Sequence, residues 1–337
     1  MTDFKAIRID KNDHGHHADY VVMHEGDLME GDVDVDVAFS AINYKDGLAV
    51  TGKAPVVRRF PMIPGVDLAG RVTRSAHPEF APGDMVVATA CGLGEAHYGG
   101  FSQRARLSGD WLAKLPPPLT PARAMAVGTA GLTAMFCIIA LERHGARPSD
   151  GLAAVTGAAG GVGSFAVALL AKAGWRVAAV TGRGAEAEYF TRLGATEIIG
   201  RDEFDAPGRP LQKQRFAVAV DTVGGVTLAN LLAQIRIDGA VAACGNVGGM
   251  ELKANLAPFI LRGVSLLGVE SVRPRIGLRR AAWTRIAQGL DPALIDAMSE
   301  IIPFDAALDR ARSIVEGKIR GRIVVDMGLN LPARDAG

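Results

Sequence analysis

Cysteine is scarce. The chain has three, at positions 91, 137 and 244 of 337, and no Cys-x-x-Cys. An odd number so widely spaced cannot all pair within the chain. It also offers no cysteine zinc cluster, so the thiols point to a reducing compartment. Aromatic residues make up only 6%, which argues against a platform on which nucleic-acid bases stack. A dominant charge is missing too. Lys plus Arg number 37 and Asp plus Glu 36, a formal charge of +1. Without a local patch, that balance gives no field to hold nucleic acid or an anionic membrane. The opening Met1-Thr2-Asp3-Phe4-Lys5 lacks the basic stretch and apolar core of a secretory signal. The longest apolar stretches are interrupted by Lys, Arg or Gly. No membrane span is therefore expected, and the cytoplasm is the expected location.

Glycine, by contrast, is abundant: 41 residues without a strict period, which implies many tight turns and close backbone approaches. The length corresponds to about two domains. The first third reads as short strands in an irregular β-rich domain. Residues 33–39 alternate Val with Asp and Ala, and residues 85–90 form an apolar run after Ala81-Pro82-Gly83-Asp84. Pro61-Met62-Ile63-Pro64-Gly65 reads as a rigid loop and Pro116-Pro117-Pro118 as a stiff hinge. From Pro121 the texture changes. Residues 122–141 are apolar and helix-forming, with breaks at Gly128 and Gly131. Strand runs follow at 152–155, 175–180, 197–199, 216–220, 240–244 and 264–269, with helices expected over 161–173, 185–193 and 227–235. Continuous apolar strands between amphipathic helices predict an α/β fold with a doubly wound parallel sheet. The end of the chain predicts a helix from Arg279, another over 306–316 and a strand over 322–325.

The strongest motif is Gly157-Ala158-Ala159-Gly160-Gly161-Val162-Gly163, which follows a strand and opens a helix. On a Gly-x-Gly-x-x-Gly pattern, Ala158 takes the first glycine's place, Gly160 the second and Gly163 the third. Gly160 lets backbone approach a pyrophosphate, Gly163 lets helix and strand pack closely, and the helix N-terminus supplies N–H groups. An ordinary turn is the competing reading. The next strand ends Val180-Thr181-Gly182-Arg183, with no carboxylate for a ribose hydroxyl; Glu186 comes only in the following turn. Arg183 can grip a 2′-phosphate and Thr181 can add a hydroxyl, so NADPH is the expected cofactor. Arg183 as a plain surface residue stays open. The loops at 221–225 and 244–248 lie at further strand ends, and Gly245 and Asn246 are candidates to line the nicotinamide pocket. Turn chemistry alone is the alternative for each.

With this turn go Ala41-Ile42-Asn43-Tyr44-Lys45-Asp46, Pro64-Gly65-Val66-Asp67-Leu68-Ala69-Gly70 and Gly83-Asp84-Met85-Val86. Together they resemble the zinc-free quinone-oxidoreductase branch of the medium-chain dehydrogenase/reductase superfamily. The closer similarity is to the acryloyl-CoA reductase (AcuI/YhdH) group, through residues 43–53, Phe60-Pro61-Met62-Ile63-Pro64-Gly65, Gly109-Asp110-Trp111-Leu112, Thr181-Gly182-Arg183 and Gly317-Lys318-Ile319-Arg320-Gly321-Arg322. The resemblance implies a GroES-like catalytic domain made of residues 1–125 and 272–337. It implies a Rossmann cofactor domain over 126–271, an active site in the cleft between them, and a homodimer paired at the strand near 264–269. It places Asn43, Thr133 and Arg322 at the cofactor. A surface ion pair is the other reading of Arg322.

Zinc enzymes of the superfamily carry a Cys where this chain has Asn43 and a His-Glu pair where it has Val66-Asp67, so no metal is expected. His14, His16 and His17 cluster without a motif. His97, near Cys91 and Glu95, reads as pocket lining before metal ligand. Lacking a Lewis acid for an alkoxide, the implied reaction is NADPH-dependent reduction of the C=C bond of acryloyl-CoA to propanoyl-CoA. Hydride goes to the β-carbon and a proton to the α-carbon of a short-chain enoyl-CoA. The alternative is a quinone or general enone reductase. A non-enzymatic nucleic-acid-binding or structural protein is a third class, disfavoured by the charge balance and the few aromatics.

The developing enolate needs donors and the α-carbon a proton. Tyr44 offers a phenol, and Asn43 an amide for a carbonyl or the nicotinamide ribose. Both reach one site only if the segment is a loop, since adjacent strand residues face opposite ways. Asp46 completes the catalytic candidates, as an ion-pair partner of Lys45 or by orienting Tyr44. Tyr44 as packing alone is the competing reading. Arg58 and Arg59 are read either as contacts for coenzyme A phosphates or as a solvated basic loop.

Overall fold

The computed structural model describes residues 3–12 and 15–329. The chain divides into two compact units. The first runs through Thr129 and is completed by Val272–Ala287 and the chain from Ile295; the second comprises Ala130–Ser271 and Gln288–Leu294. His14, one of the clustered histidines, lies outside the described residues. His16 turns its ring to the carbonyl of Val50 at 3.2 Å and edge-on to Phe60.

The first unit begins with an antiparallel ribbon, β1 (Asp3–Asn12) and β2 (Gly15–His24). In β3 (Val33–Ile42) the alternation sets the faces: Val33, Val35 and Val37 are buried, as a period of two requires. Asp34, on the other face, is held by Arg74 and Arg106 at 2.8 and 2.7 Å. The chain then enters α1 (Tyr44–Thr51) directly. This corrects the loop expected after Asn43, and the reason is local. Asn43 stands at the N-cap, Asp46 three residues on accepts the Asn43 backbone N–H at 2.8 Å, and Gly52 ends the helix at φ 66°. Asn-x-x-Asp followed by a glycine in the left-handed region is a helix start and stop. After it come β4 (Asp67–Ser75), β5 (Met85–Thr89), β6 (Arg104–Leu107) and β7 (Leu112–Lys114).

Helix α2 (Pro121–Arg143) is long and apolar enough to cross a membrane, with a mean hydropathy of 2.0 over its best window. It passes as a core helix, since 89% of that window is buried inside the protein. Gly128, at φ 46° and ψ −154°, interrupts the helical backbone.

The second unit alternates β8 (Leu152–Thr156), α3 (Gly161–Lys172), β9 (Arg176–Thr181), α4 (Ala187–Arg192), β10 (Glu197–Gly200), β11 (Phe216–Asp221), α5 (Gly225–Gln234), β12 (Ile235–Ala243), α6 (Ala257–Arg262) and β13 (Ser265–Gly268). The sheet order is β10-β9-β8-β11-β12-β13, all parallel. The direction of winding reverses between β8 and β11, the place where open α/β sheets bind ligands beyond their strand ends. Phe204, Phe216, Leu231, Leu232, Ile235 and Val241 fill its core, each worth about 1.5–3 kcal/mol when fully buried.

The remaining elements are α7 (Ile276–Gly289), α8 (Pro292–Ala297), β14 (Ser299–Pro303), α9 (Ala307–Ile314) and β15 (Arg322–Asp326). The first unit's sheet runs β14-β15-β3-β4-β5-β7, with β6 also on β3. In it β15 lies antiparallel to β3, pairing Ile323 with Ile42. That register carries Arg322 to the level of Asn43, 279 residues away in sequence.

Candidate active site

In the first unit the Asn43 side chain is clamped at both ends. Its Nδ2 donates to Asp67 Oδ2 at 2.8 Å, and its Oδ1 accepts from Arg322 Nη1 at 3.0 Å. The two partners determine which end of the amide is nitrogen. Arg322 also donates to the carbonyls of Ile42 and Ala126 at 3.2 and 3.0 Å and lies 3.5 Å from Asp67 Oδ2. Its side chain is 3% exposed and that of Asp67 0%. This corrects the surface reading of Arg322. It is not a surface ion pair but a buried brace on Asn43. Asp67 further accepts the backbone N–H of Thr129 at 3.0 Å and its hydroxyl. Gly128 makes room: a Cβ there would press on Asp67 and Arg322. The break in α2 thus frees an N–H for a buried carboxylate.

Asp46 faces inward as well. It accepts from the backbone N–H groups of Asn43, Gly65 and Val66 at 2.8, 3.2 and 3.0 Å. Burial pushes its carboxyl up to about 7, the nearby Asp67 carboxylate adds to the rise, and the N–H donors oppose it. The expected Lys45–Asp46 ion pair is absent from these contacts. Lys45 reaches Glu95 at 2.7 Å, because successive helical residues point to different sides. Asp46 therefore orients the Asn43–Tyr44 segment through its backbone. Tyr44 opens α1 and is 38% exposed. His97 is buried, its Nε2 at 2.8 Å from the Arg106 carbonyl and its ring edge-on to Trp111. Burial lowers its pKa, and Arg59 adds to the effect.

In the second unit the glycine turn has a different leader from the one expected. Gly157 sits at φ 60° and carries the tight turn; Ala158, given that place by the pattern, is a buried core residue. Cβ atoms on Gly157 and Gly163 would overlap Thr222 Oγ1 and the Gly157 carbonyl respectively. Gly160 is the N-cap of α3, and Gly161, Val162 and Gly163 form its first turn, where helix N–H groups lack partners of their own. Beneath the turn, Thr156 Oγ1 donates to Asp221 Oδ1 at 2.6 Å, and Asp221 Oδ2 accepts from Gly224 N at 2.8 Å. Asp221 is fully buried. Its pKa is raised by burial against these hydrogen bonds.

At the end of β9, Thr181 Oγ1 accepts the Arg183 backbone N–H at 3.0 Å, while the Arg183 guanidinium pairs with Glu186 at 3.3 Å. A second arginine stands beside them. A Cβ on Gly182 would lie 3.2–3.6 Å from the Arg201 guanidine group. No local signal marks Arg201; it arrives because β10 pairs Gly200 with Thr181. Asp67 and Asp221 do carry a signal, each being a lone carboxylate at the end of an apolar run. Gly245 packs where a Cβ would overlap Thr222 backbone, Asn246 is exposed with its amide near Met250 Sδ, and Thr133 is buried on α2. Asn43, Tyr44, Asp46 and Arg322 thus gather in the first unit, and the turn, the β9 end, Gly245 and Asn246 belong to the second.

A catalytic zinc does not fit the residues present. The Asn43 and Asp67 side chains converge on the Arg322 guanidinium, which already supplies the positive charge. Among the described residues, no group of three or more His, Cys, Asp or Glu side chains converges for a metal.

Two family models match: zinc-binding dehydrogenase over residues 161–287 and the alcohol dehydrogenase GroES-like domain over residues 29–117. The probable acrylyl-CoA reductase AcuI of Escherichia coli (strain K12) is 47% identical over 95% of this chain and 99% of its own. The yhdH oxidoreductase of Salmonella enterica, crystallised in complex with NADP, superposes with a TM-score of 0.93 at 47% identity, over 96% of this chain and 99% of the other. Bacillus subtilis yhfP, a putative quinone oxidoreductase, is 42% identical over 97% of this chain and 99% of its own. Its crystal structure with NAD bound has a TM-score of 0.92 and covers 97% of this chain and 100% of the other. With a GroES-like unit, a Rossmann-like unit and this likeness along nearly its whole length, the chain belongs to the AcuI/YhdH family of zinc-free medium-chain dehydrogenases/reductases.

Proposed function

We propose that the protein reduces the C=C bond of acryloyl-CoA, or a similar short-chain enoyl-CoA, to the saturated thioester with NADPH. The observation that carries this reading is the 47% identity, over 95% of the chain, to a relative named for acrylyl-CoA reduction. The Salmonella relative with NADP supports the cofactor.

The turn suits a dinucleotide. Its glycines let the turn pack tightly where a Cβ on Gly157 or Gly163 would overlap neighbouring atoms, and the α3 N-terminus offers N–H groups and positive dipole to the pyrophosphate. Thr181, Gly182 and Arg183, joined by Arg201, take the 2′-phosphate, with Arg183 exchanging Glu186 for the stronger anion. When bound, NADPH supplies the hydride that adds to the β-carbon. Negative charge then develops on the thioester oxygen and resolves when the α-carbon takes a proton. Asn43, its amide fixed by Asp67 and Arg322, offers its second N–H to substrate or ribose oxygen. Tyr44 donates to the thioester oxygen or passes the proton to the α-carbon.

A homodimer is part of the reading. Strand β13 is the edge of its sheet, and Leu256, Ile260 and Leu261 nearby are exposed; an unpaired edge flanked by apolar side chains favours pairing with a second copy. Three widely spaced cysteines, at 91, 137 and 244, suit a cytoplasmic location.

The second reading, a quinone or enone reductase, rests on the yhfP relative and its NAD. Steady-state assays of acryloyl-CoA, crotonyl-CoA and a simple quinone, each with NADPH and NADH, separate the two. The expected result is the highest kcat/KM for acryloyl-CoA with NADPH; a much higher value for the quinone would replace the first reading.

A further inference from the structure

We infer that a pocket in the first unit binds the phosphate-bearing end of the coenzyme A thioester, an inference that rests on the enoyl-CoA reading. The pocket has a volume of about 370 Å³ and lies between the loop after β5, around Cys91 and Glu95, and the segment leading into α7, around Arg273, with Trp111 also in its lining. That volume is within the range of small-molecule sites.

Its walls are tied together. The buried Arg279 donates from Nη1 to the Thr89 carbonyl at 2.7 Å and hydroxyl at 3.0 Å, and from Nη2 to the Val272 carbonyl at 2.6 Å. One guanidinium thus links the end of β5 to the segment that forms the opposite wall. A pocket whose walls are already joined loses little freedom when a ligand enters.

Its chemistry suits a phosphorylated nucleotide. Arg58 and Arg273 line it, both exposed residues, Arg58 with a side chain 62% exposed. Two carboxylates line it as well, but each already faces a basic side chain. Glu95 holds Lys45 at 2.7 Å and lies 3.7 Å from Arg58, and Asp110, 86% exposed, lies 3.5 Å from His77 Nε2. Planar guanidinium forks match phosphate oxygens better than ammonium groups do. The Trp111 indole is steadied by the His97 ring at 5.0 Å, edge to face, and a held indole is a surface on which a purine stacks.

The link to the reacting centre is short. Lys45 follows Tyr44 in α1 and ends on Glu95 in the pocket lining. A ligand tail seated here belongs to the molecule whose thioester meets Tyr44, which favours the substrate's own coenzyme over an unrelated nucleotide.

The test compares acryloyl-CoA with acryloyl-N-acetylcysteamine, the same thioester without phosphates or adenine, at saturating NADPH. The wild-type protein should prefer the CoA ester in kcat/KM. Arg58→Ala and Arg273→Ala should each lower that preference ratio about tenfold, as loss of one charge-assisted contact does. Arg58→Glu should lower it further, and added salt should weaken the wild-type preference. A ratio unchanged in all three variants, or a parallel loss for both esters, would overturn the pocket and leave the reductase reading standing. Equal wild-type kcat/KM for the two esters would do the same. A wild-type protein that reduces neither ester would overturn the reading and the pocket together.

Discussion

The two units prepare their sites by opposite means. In the first, position comes from side chains that are present: Asn43, Asp67, Thr129 and Arg322 hold one another through hydrogen bonds below the surface. In the second, position comes from side chains that are missing. Gly157, Gly163 and Gly245 stand where a Cβ would meet backbone or a neighbouring hydroxyl. A buried charge cluster is costly to break and tolerates little change of shape. A backbone cradle tolerates changes around it but no added atom within it. Proton transfer needs a group at one place, whereas a diphosphate needs many N–H groups and room. The contrast follows the chemistry proposed for each unit.

The largest expected effect comes from the side chain proposed to handle the proton. Tyr44→Phe keeps the ring, so folding and NADPH affinity should survive while kcat falls about 10²–10⁴-fold. The isotope effect with deuterated NADPH should persist or grow. Unchanged kcat, with chemistry rate-limiting in the parent, would remove Tyr44 from the mechanism.

Next is the brace. Arg322→Ala leaves Asp67 buried without its guanidinium and should cost about 3–5 kcal/mol in urea unfolding. Arg322→Lys should recover little of it, since an ammonium cannot match the several carbonyl and amide acceptors. A loss below about 1 kcal/mol, the level of an exposed pair, would show that the cluster is not what holds Asn43.

In the second unit, Arg183→Ala should raise KM for NADPH and leave NADH almost unaffected. A charged contact is worth about 1.5–3 kcal/mol, and prior pairing with Glu186 places this one near the lower end. Equal shifts for both cofactors would make Arg183 structural. Gly163→Ala should destabilise by about 1–3 kcal/mol through overpacking and reduce the rise in Tm on adding NADPH. An unaltered NADPH-induced rise would mean that the close helix–strand approach is unnecessary for binding.

The smallest effect is a pH dependence. A carboxyl raised in the folded state favours the protonated form. The stability it contributes is present below the ordinary aspartate range and is lost as pH rises toward about 7. The Tm difference between the parent and Asp46→Asn should therefore be larger at pH 5 than at pH 8. A constant difference would mean that Asp46 is ionised throughout.

Much of this was legible in short stretches of sequence. The Val-Asp alternation of β3, the strand–turn–helix around Gly157–Gly163 and the alternating elements of the second unit rely on neighbours a few residues apart. The start of α1 was legible too, in Asn43, Asp46 and Gly52, once read as caps rather than as a gap between strands. The carboxylates at 67 and 221 stood out in apolar runs, but their partners did not.

What the sequence determined by itself is the local geometry: which face of β3 is buried, where a helix begins, and which turn has room for phosphates. These follow from side-chain size, backbone freedom and periods of two or 3.6. The tertiary structure alone decided that Arg322 reaches Asn43 and Asp67, across 279 and 255 residues, and that Arg201 stands beside Gly182. Those meetings depend on the register of β15 on β3 and of β10 on β9. Register is set by the packing of whole sheets, so no window of sequence around any one of these residues contains it.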